Sequence, residues 1–227
     1  MEYFPDAFWL TLGLTVRLAA MTTLILLVVG IPLGWYLASA RHRLKPVLEA
    51  LVSMPLVLPP TVLGFYLLLV FSAESPFGSW LDRTFDIQLV FTFSGLVVGS
   101  IIYSLPFMVQ PIQSGFESLP AHLAEASYTL GKSRWTTLTR ILLPNIRASV
   151  LSGLVLSFAH TIGEFGVVLM IGGNIPGKTR VASIAIYDEV EGLNYGLAGE
   201  YASVLVIFSF LILLVIYSVN ARKPRLL

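Results

Sequence analysis

Residues 125–144 read EASYTLGKSRWTTLTRILLP, a polar and basic stretch set between two long apolar runs. Ser118, Leu119 and Pro120, just ahead of it, mark a helix start, since proline is tolerated in a first helical turn. Leu123, Ala126 and Leu130 then fall at i, i+3 and i+7 on one turn-spaced face, and Ala126 and Ser127 are small enough to admit another surface. Gly131 ends that helix in a left-handed conformation. Ser133 caps a second helix bearing Trp135, Leu138, Ile141 and Leu142, with Pro144 and Asn145 as its stop. The spacing predicts a helix, a glycine elbow and a second helix at a membrane face. On pattern alone, an amphipathic loop that merely covers a bundle accounts for it equally well.

The surrounding sequence supplies the membrane. The chain has 227 residues, is 56% hydrophobic and 12% charged, and has a mean hydropathy of +0.83. Ordinary soluble domains are roughly 45–50% apolar and about 25% charged. Stretches of about 20 apolar residues recur with short polar gaps, which predicts an all-α, polytopic transmembrane helical bundle and excludes a barrel of alternating strands. One membrane domain is expected over residues 1–227, with about 118–145 outside the bilayer. There is no cysteine, so disulfides, thiolate metal sites and cysteine nucleophiles are excluded. Met1 to Phe8 carry Glu2 and Asp6 and no positive n-region, so the apolar run that follows is expected to stay as a span.

Five spans are expected, with a sixth short membrane element before Arg17 or after Gly177 not excluded by hydropathy. The first covers about Leu18 to Ala40, preceded by PDAFWLTLGLTVR, whose Phe8 and Trp9 suit an aromatic belt and whose Arg17 snorkels to the headgroups. Gly30, Pro32 and Gly34 kink this helix or admit a close neighbour. The second, about Val47 to Ser72, contains MPLVLPPTVLG, in which Pro55, Pro59 and Pro60 lack backbone donors. Such a break is tolerated in lipid only where protein or a wet cavity satisfies the freed carbonyls, so this span faces the bundle interior. The third, about Leu89 to Gln113, carries Gly95, Gly99, Ser100 and Ser104 for close packing. The fourth, about Ala148 to Gly172, is interrupted by HTIGEFG. The fifth covers about Tyr201 to Val219. AESPFGSWLDRTFDIQ and the segment from GGNIPGKTR to Glu200 read as external, with VASIAIYDEV a surface helix or a re-entrant piece.

The charges orient this arrangement. Arg41, Arg43, Lys45, Lys132, Arg134, Arg140, Arg147, Arg222, Lys223 and Arg225 fall on one side, and Arg17, Arg83, Lys178 and Arg180 on the other. Ten of the 14 Lys and Arg residues on one face put the N-terminus outside and residues 125–144 in the cytoplasm.

At this point the 125–144 stretch resembles the cytoplasmic EAA loop of ABC import permeases, written Glu-Ala-Ala, three residues, Gly, nine residues, Ile-x-Leu-Pro. Glu125, Ala126, Gly131, Ile141, Leu143 and Pro144 match at that spacing, and Ser127 replaces the third residue of the motif, small for small. Met54 to Gly64, Gly163 to Gly166 and Gly173 to Gly177 are similar to stretches of the oxyanion branch. Essentially the whole chain resembles a molybdate permease, with sulfate and tungstate permeases as near relatives. The resemblance implies a type I ABC importer permease fold in a bacterial or archaeal inner membrane. It also implies a homodimer on two cytoplasmic ABC ATPase subunits, fed by an external oxyanion-binding protein, with no nucleic acid involved. It assigns about 120–131 as a coupling helix and Glu125, Ala126, Ser127, Gly131, Ile141, Leu143 and Pro144 as ATPase-coupling residues. The chain has no G-x-x-x-x-G-K-[ST] loop, so it is not expected to be an enzyme or to hold a cofactor; ATP and Mg²⁺ belong on the partner.

No lysine or arginine lies in the middle of any span, so a dianion meets no strong counter-charge there and is free to leave as well as enter. Hydroxyls and kinked backbone are the expected lining: Thr61, Ser100, Ser104, Ser157 and Thr161. His160 and Glu164, four apart, form either a gate or a buried structural pair, and with no further ligand nearby they are not a metal site. Lys178 and Arg180 either dock the binding protein and attract the anion or are merely solvated. An ion-driven secondary transporter would rest on Glu164 alone, and an intramembrane enzyme only on His160 with Glu164.

Overall fold

The computed structural model describes residues 6–221, so Arg222, Lys223 and Arg225 lie outside the described residues. Its first helix, α1 (Asp6–Ser39), has 34 residues, about 50 Å of helix at 1.5 Å per residue, and begins 12 residues ahead of the expected span. Nothing in DAFWLTLGLTVR breaks a helix, and the segment is tied down: the Thr15 hydroxyl donates to the Thr11 carbonyl at 2.8 Å and accepts the Ala182 N–H at 2.8 Å. Pro32 is carried inside α1. Gly30 and Gly34 serve a close neighbour: a Cβ on either would come within 2.6 Å of Met108 or 2.8 Å of Ile112.

The second crossing is broken where the prolines predict. α2 (Lys45–Val57) and α3 (Pro60–Phe71) meet at an angle of 112°. The second residue of the Pro59-Pro60 pair opens α3 without needing an N–H, while Pro55 sits inside α2 without breaking it. A helix not foreseen from the sequence, α4 (Pro76–Phe85), follows, its first turn capped by the Ser75 hydroxyl, which accepts the Gly78 N–H at 2.8 Å.

The central element is α5 (Phe93–Glu117). Arg17 lies 4.7 Å over the Phe93 ring, Gly30 meets Met108 and Gly34 meets Ile112, so α1 and α5 run parallel. Two parallel crossings require an odd number of crossings between them, so α2 and α3 together traverse the bilayer once. After α5 come α6 (His122–Thr129), α7 (Arg134–Thr137), a widened turn over Leu138–Leu142, and α8 (Leu143–Asn145). Then α9 (Arg147–Ile162) turns by 77° and runs back along α5, with Ser149 at Gly115, Gly153 at Met108 and Thr161 at Ser104. α10 (Gly166–Gly172) continues in the same direction, with Val167 at Gly99 and Gly172 at Leu96, so α9 and α10 form one interrupted crossing.

The segment expected to be a surface or re-entrant piece is α11 (Ala182–Glu191), too short to cross, with Ala182, Ile184 and Ala185 buried. α12 (Tyr195–Ala221) closes the described chain, its Tyr201 ring 4.4 Å from Phe8. Among the described residues three helices, α1, α5 and α12, are each long and apolar enough to cross a membrane, and two bent pairs, α2 with α3 and residues 134–145 with α9, raise the number to as many as five.

Candidate functional site

The segment from α6 to α8 hangs on the bundle by an apolar root. Leu138, Leu142 and Ile146 are buried with Leu26 of α1 and Met108, Ile112 and Phe116 of α5, and Leu123 and Ala124 of α6 pack against the same cluster. The α6 terminus is closed by two reversed hydrogen bonds, Lys132 N–H to the Ser127 carbonyl at 3.1 Å and Gly131 N–H to the Tyr128 carbonyl at 2.9 Å. This is the Schellman arrangement, with Gly131 at φ +71°. A Cβ on Gly131 would meet nothing within 4 Å, so the backbone angle alone asks for glycine. Ser133 then caps α7, its hydroxyl accepting the Thr136 N–H at 3.2 Å.

The residues that the resemblance assigns to coupling divide between two faces. Glu125, Ala126 and Pro144 are exposed, while Ser127 is buried and Ile141 and Leu143 pack on the bundle. The Ser127 and Thr137 hydroxyls lie 2.8 Å apart, and Thr137 also donates to the Ser133 carbonyl at 3.0 Å, so Ser127 staples α6 to α7. The expected face of Leu123, Ala126 and Leu130 is split: Leu123 turns inward, whereas Leu130 is 75% exposed, as is Trp135 at 72%. The expected stop at Pro144 is displaced to Ile146. The turn over 138–142 widens, with Leu143 N–H reaching the Leu138 carbonyl, and the backbone passes Pro144 before bending. A cleft of about 510 Å³ beside α6 is lined by Trp35, Arg41, Phe116, Glu125, Tyr128 and Arg134; of these, the sequence reading had assigned only Glu125 to this site.

The second cluster lies halfway along the bundle, where both interrupted crossings meet. Gly166 packs on the start of α3, and a Cβ there would come within 2.9 Å of Pro60 and 3.0 Å of the Thr61 nitrogen. A cavity of about 370 Å³ opens at this junction, lined among others by Pro60, Thr61, Tyr103, His160, Glu164 and Gly166. Of the expected lining residues, Thr61, His160 and Glu164 reach it, while Ser104, Ser157 and Thr161 stand behind in the α5–α9 seam.

His160 is fixed in orientation. Its ring stacks on Phe107 at 4.0 Å with Tyr103 at 4.6 Å, contacts no sequence spacing announces. Its Nδ1 is 2.9 Å from the Ser104 hydroxyl, which is 3.1 Å from the Thr161 hydroxyl, which is 2.9 Å from the Ser157 carbonyl. The carbonyl only accepts, so Thr161 donates to it, Ser104 donates to Thr161, and His160 Nδ1–H donates to Ser104. In the neutral ring this leaves Nε2 as an acceptor. Glu164 is 3% exposed, and its carboxyl group interacts with the Ser100 side chain. Its main-chain carbonyl accepts the Ser183 hydroxyl of α11 at 2.6 Å.

At the opposite end from α6, Lys178 is exposed, whereas Arg180 is engaged. Arg180 Nε donates to Asn174 Oδ1 at 2.8 Å, its Nη2 lies 3.2 Å from Asp188 Oδ2, and Asn174 Nδ2 donates to the same oxygen at 2.7 Å. Arg180 therefore fixes the loop onto α11, and only Lys178 of the two presents an unengaged charge.

A family described as binding-protein-dependent transport system inner membrane component matches residues 30–225. The molybdenum transport system permease protein ModB of Azotobacter vinelandii is 49% identical over 213 residues, 94% of each chain. The sulfate transport system permease protein CysT of Escherichia coli is 35% identical over 198 residues, 87% of this chain and 70% of that one. Among solved structures, a bacterial ABC transporter involved in the import of the acidic polysaccharide alginate superposes with a TM-score of 0.82 at 17% identity, covering 98% of this chain and 82% of its own. That likeness carries the fold alone.

Proposed function

Because this chain belongs to the inner membrane components of binding-protein-dependent transport systems, we propose that it is the membrane-spanning permease subunit of an ATP-driven importer of molybdate. The observation that carries the cargo is the 49% identity to a molybdenum permease along nearly the whole of both chains, against 35% to a sulfate permease. Sulfate is the second reading, favoured by that more distant relative. The chain works as a homodimer on two ABC ATPase subunits that bind ATP and Mg²⁺, and receives the oxyanion from an external binding protein. α6 faces the cytoplasm and the N-terminus lies outside.

The geometry supports a transmission route. The exposed side of α6, with Glu125 and Ala126, and the exposed Leu130 just past its end are free to sit on the ATPase, while the Ser127 staple makes α6 and α7 move together. Their root among Leu26, Met108, Ile112 and Phe116 passes that motion to α1 and α5. Gly153 against Met108 passes it on to α9, whose far end carries the His160 and Glu164 junction. Its cavity holds no lysine or arginine, so attraction for an anion there is weak and release remains easy.

The test is uptake of labelled molybdate and sulfate into proteoliposomes containing the chain, its ATPase and its binding protein. Molybdate uptake requiring ATP, abolished by Glu125→Arg or Gly131→Pro with insertion intact, is the expected result. Uptake that survives removal of the ATPase sinks the importer reading, and preference for sulfate reassigns the cargo.

A further inference from the structure

α4 is an amphipathic helix whose aromatic face is exposed. Phe77, Trp80, Leu81 and Phe85 fall at i, i+3, i+4 and i+8, one face of the helix, and Phe77, Trp80 and Phe85 are about half exposed. Their rings form a ladder that starts on the last residue of α3: Phe71 to Phe77 at 6.0 Å, Phe77 to Trp80 at 5.8 Å and Trp80 to Phe85 at 5.5 Å. Of its polar residues, Arg83 and Thr84 are exposed and Asp82 is half-buried toward the end of α3. Asp82 accepts from Gln88 Nε2 at 3.2 Å, and both line the cleft over the end of α3 together with Glu74.

A face of three half-exposed rings is stabilised where the medium beyond it is apolar. The level also fits. Gly78 sits directly on the Phe71 and Ser72 carbonyls, so α4 begins where the α3 half-span ends. The ladder continues the exposed apolar side of α3, with Phe65, Tyr66, Leu69 and Val70. Rings of this kind are enriched at the headgroup level, and short amphipathic helices lie there in the membrane plane.

We propose that α4 is an in-plane anchor whose Phe77, Trp80 and Phe85 lie among phospholipids at the boundary of headgroups and acyl chains in the outer leaflet. The anchor holds the outer end of α3 at a fixed depth, so motion between the halves of the broken crossing is taken up at Leu58 to Pro60. This rests on the chain being a membrane protein and not on which ion it carries.

The test is Trp80 fluorescence in vesicles of phosphatidylcholine brominated at shallow or deep acyl positions, with Trp9, Trp35 and Trp135 replaced by Phe. Should that variant fail to insert, the emission lost on Trp80→Phe in the otherwise native chain gives the same reading. Shallow bromines should quench Trp80 at least twofold more than deep ones, aqueous iodide should quench it weakly, and Phe77→Ser with Phe85→Ser should halve the bromine quenching. Strong iodide quenching without bromine quenching overturns the anchor in favour of a water-facing loop. Protection from both quenchers overturns it in favour of a second copy of this chain, and protection only on adding the binding protein makes the ladder a protein-docking face.

Discussion

Replacing Thr137 by valine, and separately Ser127 by alanine, should have unequal consequences although the two hydroxyls share one hydrogen bond. Ser127 is 2% exposed and Thr137 fully buried, and their oxygens are 2.8 Å apart. Thr137→Val leaves the Ser127 hydroxyl buried without a partner, which costs about 1–3 kcal/mol. The Ser133 carbonyl loses the Thr137 hydroxyl but keeps the Thr137 N–H at 2.9 Å, so it adds little. Ser127→Ala removes the orphan itself, and Thr137 still donates to Ser133, so the loss is that of an ordinary hydrogen bond, about 0.5–1.5 kcal/mol. The double variant should be no worse than Thr137→Val alone. Ser127→Ala also installs the alanine that the Glu-Ala-Ala form of the motif carries, so it should preserve coupling. The assay is thermal unfolding of the purified chain in lipid discs, alongside molybdate transported per ATP hydrolysed by the full complex. If Ser127→Ala is as damaging to coupling as Thr137→Val while leaving unfolding unchanged, the Ser127 hydroxyl touches the ATPase and the staple is refuted.

Gly131→Ala forces a side chain into φ +71° with no steric contact, so it should destabilise the elbow by about 1–2 kcal/mol and lower uptake partially, where Gly131→Pro abolishes it; initial uptake rates distinguish the two. Gly166→Val pushes branched carbons into the Pro60 and Thr61 backbone, which cannot yield as a side-chain end can, and should abolish uptake and reduce yield of the assembled complex in a size-exclusion assay. Arg180→Ala should loosen the 173–180 loop and expose it to protease, whereas Lys178→Ala should leave the digestion pattern unchanged, because only Arg180 is bonded to Asn174 and Asp188.

The readable parts of the sequence were those governed by local backbone chemistry. Pro59 and Pro60 lack donors, Gly131 tolerates a positive φ and Ser133 carries a capping oxygen, and each sits where those properties are used. The 125–144 segment was legible as helix, elbow and helix, and its repeat of a known motif named the family that the comparisons bear out. What escaped was orientation and long-range contact. Leu123 and Leu130 share a turn-spaced face in a long ideal helix, but α6 ends at Thr129, so the residue beyond the helix end points elsewhere. Pro144 looked like a stop because an α-helical ladder cannot pass it, but a turn one residue wider can. Ser127 and Thr137 are ten residues apart and His160 and Phe107 fifty-three, and no periodicity links either pair. α4 was hidden because its rings and charges alternate too closely in sequence to stand out from a loop.

The polar atoms of the mid-bundle argue that this chain does more than seal a membrane. The Ser157 hydroxyl is buried without a protein partner among the described residues, and the buried Glu164 carboxyl group has the Ser100 hydroxyl beside it, next to a relay that is fully satisfied from His160 to the Ser157 carbonyl. A bundle selected only for packing would place leucine or alanine there, since each orphaned polar group costs about 1–3 kcal/mol. Such groups persist where water reaches them in some state of the protein. Of these, Glu164 lies in the Gly163 to Phe165 interruption and reaches the cavity at the start of α3, where the other crossing is also broken. Two interrupted helices pack in parallel at that level through Gly64 and Gly166. The interruption between α9 and α10 and the buried Glu164 carboxyl group thus meet where α10 packs on the start of α3.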